Sequence, residues 1–412
     1  MRRVRSMTTL RIPALYRLEH FMSTDFTQEQ ASFAAAVAAF CAREAGTREQ
    51  RDALTEHGQH THNQGLYDEM AELGWLGATI PEEYGGADGS VVDMCILLEQ
   101  AAKGMAPIGG IGPTLITGAA YEKFGTASQK ETVLGGIVEG KSYSISMSEP
   151  EAGSDVGNLS CKAEKTEGGW LINGQKTWCS NAHFADRILL VARTGRSVAG
   201  GATRQERGEG KHEGLTMFDV PADIDGLNIV GIGTMGGKEV NDLYFTDCLL
   251  PEDSVVGVEG QGWAQLMTGL NIERLILAAM MLGTAQRAFD DTLEFITQRK
   301  QFGRPVGTFQ ALRHRVADLA TEIECGRLLV YHVARLVDEN PTKLFPREAS
   351  MAKLKLTETA KKVALEGMQM MGGYGYATEF DMEKHVRTTL VSSIYGGTNE
   401  IQRDIIGKTY GL

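Results

Sequence analysis

The sequence predicts an α+β multidomain chain: an N-terminal helical domain, a middle antiparallel β-barrel or sandwich, and a C-terminal up-down four-helix bundle. Three observations predict it. Apolar residues recur at helical spacing from Thr27 onward, the period changes to two near Lys141, and long helical patterns resume at Gly262. The boundaries fall at residues 22–141, 142–258 and 259–412, and residues 1–21 stand apart as a basic leader.

That leader holds Arg2, Arg3, Arg5, Arg11 and Arg17 against a single acid, Glu19. Two readings stand: a transit peptide, although serine is scarce, or a start assigned upstream of the true one at Met22. Beyond it, Thr27 and Gln30 have capping-box spacing, and Phe33, Val37 and Phe40 follow at helical intervals. Further helices are expected at 65–73, 90–103, 114–124 and 128–138, separated by turn signals such as Tyr84-Gly85-Gly86. His57, His60 and His62 lie in a polar connection without a neighbouring cysteine or carboxylate set, which favours a solvated linker over a metal site.

From Ser142 to Ser148 small polar and larger apolar residues alternate, as in a strand. Residues 170–179 read as a hairpin turned by Asn173-Gly174, with more strands at 187–193, 215–220, 227–232 and 242–249. The stretch 194–214 is rich in Gly, Arg and Glu and is expected to be a mobile surface loop. Gly231-Ile232-Gly233-Thr234-Met235-Gly236 has dinucleotide-fingerprint spacing, but a strand follows where that motif needs a helix, so a Rossmann site is rejected.

Helices are expected at 263–298, 309–339 and 346–371, with shorter ones after them. In the first, Trp263, Leu266, Leu270, Leu277 and Met281 form an apolar stripe whose midline is flanked by Glu273 and Arg274. A carboxylate pushed into an apolar wall is either paired with a cation or used as an acid or base. Both readings stand on these residues alone: a structural ion pair, or a catalytic group.

The chain has 412 residues, 42% of them apolar and 23% charged, and a net charge of −12, which disfavours nucleic acid as a partner. No uninterrupted apolar run nears the roughly 20 residues of a membrane span. Six scattered cysteines without Cys-x-x-Cys spacing suggest reduced thiols, hence a cytoplasmic location, or the mitochondrial matrix if the leader is a transit peptide.

Four motifs in order carry a resemblance. They are Met147-Ser148-Glu149-Pro150-Glu151-Ala152-Gly153-Ser154-Asp155; Asn173-Gly174-Gln175-Lys176-Thr177-Trp178-Cys179-Ser180-Asn181; Arg299-Lys300-Gln301-Phe302-Gly303 followed by Gln310; and Gln369-Met370-Met371-Gly372-Gly373-Tyr374-Gly375-Tyr376. From about Thr24 to Leu412 the chain resembles the acyl-CoA dehydrogenase family. The resemblance implies FAD as cofactor, an acyl-CoA thioester as substrate, an electron-transfer flavoprotein as partner, and a homotetramer or a heterotetramer with a related subunit. It places Ile145, Met147 and Ser148 at the flavin's pyrimidine edge, Trp178, Cys179 and Ser180 against its rings, and Ser154 towards both FAD and CoA. Arg299, Phe302, Gln310, Gln369, Gly372 and Gly373 would reach FAD from an adjacent subunit, and Thr398 and Glu400 would sit beside the flavin with Asn399.

Many relatives place a catalytic glutamate directly after the tyrosine of the tail motif, where this chain reads Tyr395-Gly396-Gly397. The isovaleryl-CoA and long-chain branches carry the base instead in a Glu-Arg pair on the long helix, which Glu273-Arg274 matches. Glu273 is then the expected base, with Asn271, Arg274, Gly396 and Gly397 along the substrate. The glycines of Pro107-Ile108-Gly109-Gly110-Ile111-Gly112-Pro113 suggest a roomy wall for medium, long or branched acyl chains. Two alternatives stay open: an oxygen-using relative, oxidase or monooxygenase, and a silent subunit that completes a partner's site. Arg387-Thr388 departs from the family's Arg-Asp.

Overall fold

The computed structural model describes residues 26–194 and 213–412. The leader and most of the expected loop at 194–214 lie outside the described residues.

Six helices open the chain: α1 (Gln28–Glu44), α2 (Arg48–Leu54), α3 (Gln64–Glu72), α4 (Val91–Lys103), α5 (Ile111–Phe124) and α6 (Ala127–Val138). The capping box is formed, with Gln30 N–H donating to Thr27 Oγ1 at 3.1 Å and Thr27 N–H to Gln30 Oε1 at 3.2 Å. Helix α2 was not expected, because it is a two-turn segment without an apolar period. A second capping box, between Thr47 and Gln50, starts it.

The middle domain holds β1 (Tyr143–Ser146), β2 (Lys162–Thr166), β3 (Gly169–Ser180), β4 (Arg187–Arg193), β5 (Leu215–Pro221), β6 (Leu227–Thr234), β7 (Gly237–Leu250) and β8 (Val255–Val256). They form one sheet in the order β6-β7-β3-β2-β4-β5-β8, with β1 added on β4. The expectation of a purely antiparallel sheet is corrected: β1 runs parallel to β4, and β2 meets β4 in parallel at Lys162 and Arg193. Parallel neighbours need a long crossover, and the β1–β4 connection is long enough to carry β2 and β3.

A second correction concerns Asn173-Gly174, which lies inside β3 and turns nothing. The β2–β3 turn is Glu167-Gly168, between the paired Thr166 and Gly169. Gly174 instead marks a register irregularity at φ +146°, where a Cβ would come within 2.7 Å of Cys161 Cα. Asn173 spans to β7, its Oδ1 accepting from Asp247 N–H at 2.9 Å. The glycine-rich run at 231–236 belongs to the β6–β7 hairpin.

The connection holding the three histidines is not a uniformly solvated linker. His60 bridges to Lys238 and His62 stacks on Phe184 at 4.3 Å, while only His57 is fully exposed. Among the described residues no group of His, Cys, Asp and Glu is placed to hold a metal.

The last third contains α7 (Gly262–Gln298), a two-residue hairpin pair β9 (Lys300–Gln301) and β10 (Arg304–Pro305), α8 (Gln310–Glu339), α9 (Pro346–Met371), α10 (Gly373–Tyr376), α11 (Met382–Val391) and α12 (Asn399–Lys408). By length and apolarity α7 suffices to cross a bilayer, although charged residues interrupt its apolar run; here 59% of its apolar window is buried within the protein, against α4, α5 and α9. Its inward surface is wider than the expected stripe. Leu275, Ile276, Ala278, Ala279 and Leu282 are fully buried, whereas Trp263 and Leu277 are half-buried. The two helical regions share one hydrophobic core that runs from Val37 and Phe40 to Val363 and Met382. Across it, Tyr331 of α8 donates to Glu99 of α4 at 2.5 Å, and Arg327 pairs with the same carboxylate.

Candidate active site

Two motifs that read as separate flavin contacts fold into one buried unit. Glu149 Oε1 accepts from Lys176 Nζ at 2.8 Å and from Cys161 N–H at 2.9 Å, and its Oε2 accepts from Ser160 N–H and Oγ at 2.7 Å each. Lys176 also donates to Met147 O at 2.9 Å, and Thr177 N–H donates to Ser148 O at 2.9 Å. Both charged groups are buried. Burial pushes the Glu149 carboxyl up, but Lys176 and the Ser160 donors outweigh it and hold it below the usual carboxylate range. Sequence reading passed over Glu149 and Lys176; the available signal was a charge in each motif with no purpose at the flavin.

This pair clamps the end of β3 to the segment after β1. Between Lys176 and Cys179 the β3–β7 register slips, and Trp178 takes φ +59°, a conformation that a bulky residue rarely adopts. The slip turns its ring outward, 59% exposed, as a free aromatic wall. Ser144 Oγ donates to Ser180 O at 2.7 Å, and Ile145, Met147, Ser148 and Ser180 are half-buried beside it. Cys179, expected against the rings, turns its side chain inward: its Sγ donates to Ile145 O at 3.5 Å, and burial pushes the thiol up to about 12.

On α7, Arg274 does not pair with its neighbour. Its Nη1 donates to Asn271 Oδ1 at 3.1 Å, and both residues, expected along the substrate, are buried and support each other within the helix. Among the described residues no hydrogen bond or close ion pair engages Glu273. Burial raises its carboxyl above the ordinary range, against the pull of Arg274 and Lys353.

The tail closes on it. Gly396 has φ +60°, and a Cβ there would lie 3.6 Å from Glu273 Oε1 and collide with Leu277 Cδ1. The long-helix carboxylate therefore sits beside the backbone position from which a tail glutamate would project. The carbonyls of Gly396 and Gly397 accept from Gln402 Nε2 at 3.0 and 2.9 Å, while the Gly396 N–H meets no acceptor among the described residues. Thr398 caps α12 by accepting from Ile401 N–H at 3.3 Å, and Glu400 is exposed. Asn399, expected beside the flavin, faces inward instead and accepts from Lys353 and Thr357.

A glutamate at 396 is expected not to replace the base. In Glu273→Gln/Gly396→Glu the new side chain must adopt φ +60° against Leu277, a strain of roughly 1–3 kcal/mol, and turnover should stay within about tenfold of Glu273→Gln alone. Recovery to wild-type turnover would contradict this geometry.

Arg299, Gln369, Gly372 and Gly373 meet elsewhere, in a cleft of about 450 Å³ whose lining includes none of the residues around Glu273. Arg299 lies over the Tyr374 ring at 5.1 Å. Phe302 is 92% exposed and Gln310 is exposed at the start of α8, and neither lines the cleft. Ser154 is exposed between β1 and β2, without a hydrogen bond to the Glu273 group. Arg387 pairs with Glu383 within α11 and donates to Met235 O at 2.7 Å, tying that helix to the β6–β7 turn.

Residues 27–141, 144–248 and 260–411 match, in turn, the N-terminal, middle and C-terminal domain families of acyl-CoA dehydrogenase. The chain belongs to the acyl-CoA dehydrogenase family. Isovaleryl-CoA dehydrogenase, mitochondrial, from Arabidopsis thaliana is 36% identical over 347 residues, 83% of this chain and 82% of that protein. Butyryl-CoA dehydrogenase from Megasphaera elsdenii superposes with a TM-score of 0.84 at 30% identity, covering 95% of this chain and 100% of that one. A chain from the structure of the electron transferring flavoprotein of Acidaminococcus fermentans does so with 0.84 at 29% identity, covering 94% and 99%.

This acyl-CoA dehydrogenase is a flavoprotein oxidoreductase acting on CH–CH groups, with FAD as cofactor. The residues fit that group. Trp178 offers an unpacked aromatic face, and Gly372 and Gly373 have no heavy atom within 4 Å of a built Cβ, so the backbone there is open to a ligand.

Proposed function

We propose that Glu273 removes the α-proton of a short branched acyl-CoA thioester while the Gly396 N–H holds the thioester carbonyl. The observation that carries this reading is the 3.6 Å between Glu273 Oε1 and the Cβ position of Gly396, which unites a desolvated base and a free donor. The donor stabilises the enolate oxygen as charge develops, and the apolar surroundings lift the carboxylate's basicity towards working pH. FAD, when bound, accepts the β-hydride. The product is a trans-2-enoyl-CoA. Ile145, Met147, Ser148, Trp178 and Ser180 would line the flavin on the same protomer, with Thr398 and Glu400 at its edge and Ser154 towards CoA.

The acyl wall is narrower than the glycine-rich run suggested. Gly109 and Gly110 make close approaches, since a Cβ would lie 2.8 Å from Thr61 Oγ1 and 2.7 Å from Ser142 Oγ respectively. Only Gly112 faces the α7 side, with Met280 Sδ 3.6 Å from its Cβ position. Glu273, Leu277 and Met280 share one helix face at i, i+4 and i+7, so the acyl group would extend along Leu277 towards Met280. A panel of thioesters titrated anaerobically against the yellow enzyme tests this. Isovaleryl-CoA or 2-methylbutyryl-CoA should bleach the flavin at least about tenfold faster than octanoyl-CoA, one apolar group being worth that much discrimination; faster bleaching by octanoyl-CoA would refute the narrow wall.

The exposed cleft at Arg299, Gln369, Gly372 and Gly373, with Phe302 and Gln310, would receive FAD from a neighbouring subunit of a tetramer. The electron acceptor is an electron-transfer flavoprotein, supported by the family and by the Acidaminococcus neighbour. Free cysteines, five of them buried, fit a reducing compartment, cytoplasm or mitochondrial matrix.

A further inference from the structure

Helix α9 buries an ammonium that the chemistry above does not use. Lys353 has no solvent exposure, and its Nζ donates to Gly397 O at 2.9 Å and to Asn399 Oδ1 at 3.1 Å. No carboxylate lies within ion-pair distance among the described residues. Thr357, one turn on, donates to the same Asn399 oxygen at 3.1 Å.

Burying a lysine against neutral acceptors is costly, because hydrogen bonds to a carbonyl and an amide return only part of the lost hydration. A neutral donor would tie down the loop at lower cost, as Gln402 does for the Gly396 and Gly397 carbonyls. What a lysine adds is charge, present below the value of about 8 to which burial pushes its ammonium. Facing it are Glu273 and Arg274 from α7 and Glu400 from α12. The charged groups that α8 and α11 bring towards α9 are engaged elsewhere: Glu322 with Lys355 and Lys362, Arg315 with Glu366, and Glu383 with Arg387.

We propose that Lys353 is a positioning residue for the reaction: by holding Gly397 it fixes the Gly396 N–H opposite Glu273, and its ammonium favours the ionised form of the Glu273 carboxylate. The inference rests on Glu273 being the base. The two contributions separate by experiment. The loop contribution acts on anything with a thioester carbonyl, and the charge acts on the pH at which the base becomes competent.

The test is Lys353→Met, which is close in length and removes charge and donors, with Lys353→Gln as a neutral donor one atom shorter. FAD content and oligomeric state are measured first. Removing a cation beside Glu273 raises the carboxyl's pKa, so the acid limb of the flavin-reduction rate should move to higher pH in both variants, by about one unit, or tenfold in rate at a fixed pH on that limb. Lys353→Met should also bind a 2-enoyl-CoA product about tenfold more weakly, with unchanged affinity for an S-alkyl-CoA thioether, which has no carbonyl. Lys353→Gln should recover part of that affinity without recovering the limb. An unmoved limb in folded, yellow variants overturns the proposal, as does equal loss of thioester and thioether binding. Two variants that fail to bind FAD overturn it too, since Lys353 would then serve only folding. Glu273→Gln run alongside separates the underlying reading: full activity there removes the base itself, whereas an inactive Glu273→Gln with an unmoved limb in the lysine variants rejects Lys353 alone.

Discussion

Glu273→Gln should retain FAD and bind acyl-CoA, yet reduce its flavin more slowly by on the order of 10²–10⁴-fold. The substitution keeps shape and removes the basic lone pair that lies 3.6 Å from the Gly396 Cβ position. The folded protein should tolerate it well, because no hydrogen bond or close ion pair among the described residues relies on the carboxylate and a neutral amide is cheaper to bury there. Thermal stability equal to or above wild type, together with lost flavin reduction, is therefore the signature expected of a base held for function. The sign of the pH dependence follows from the same burial. A carboxyl raised by desolvation is protonated at low pH and competent only above its raised pKa, so wild-type flavin reduction should climb along an acid limb lying above the ordinary carboxylate range. Stopped-flow bleaching across pH measures both effects, and a Glu273→Gln enzyme that still bleaches at wild-type rate would remove Glu273 from the mechanism.

Lys176→Met should be the most damaging single change to the flavin cradle. It leaves Glu149 buried with Ser160 and Cys161 donors but no countercharge, and breaking one side of a buried pair costs about 3–5 kcal/mol. Against the 5–15 kcal/mol of a typical domain, that threatens the local fold as well as the global one. Because Lys176 also holds Met147 O, the loss should release the segment next to Trp178 and lower FAD occupancy before the chain unfolds. Glu149 sets the pH sense of this unit. Its carboxyl is held below the usual range in the fold, so the stability it contributes is present above the unfolded carboxylate pKa and is lost as pH falls through the lower folded value. Flavin release followed by fluorescence during denaturant and acid titrations checks both statements. Wild-type midpoints in Lys176→Met would show that the pair carries little.

Much of this was legible in the residues. Capping boxes, helical periods and the change to alternation marked the layout, because those signals are local and each reports its own backbone state. The Asn173-Gly174 misreading shows where locality ends. An Asn-Gly pair favours a turn in isolation, but the approach of Cys161 and the bonds to Asp247 make it a bulge within a twelve-residue strand. The candidate site divides the same way. Glu273 could be singled out as a carboxylate in an apolar run, and Gly396 as a missing side chain. Lys353, Gln402, Glu149 and Lys176 could not, since their partners are dozens of positions away or are backbone atoms.

By itself the sequence determined the family, the order of helical, β and helical segments, and the cofactor, and it offered Glu273 as the expected base. Only the tertiary structure decided that the two helical regions share one core, that Arg274 turns to Asn271 instead of Glu273, and that Gly109 and Gly110 serve packing more than pocket room. The physical reason is that residue type and spacing fix what a segment prefers, whereas burial, free donors and excluded volume belong to pairs of segments that meet only in the folded chain.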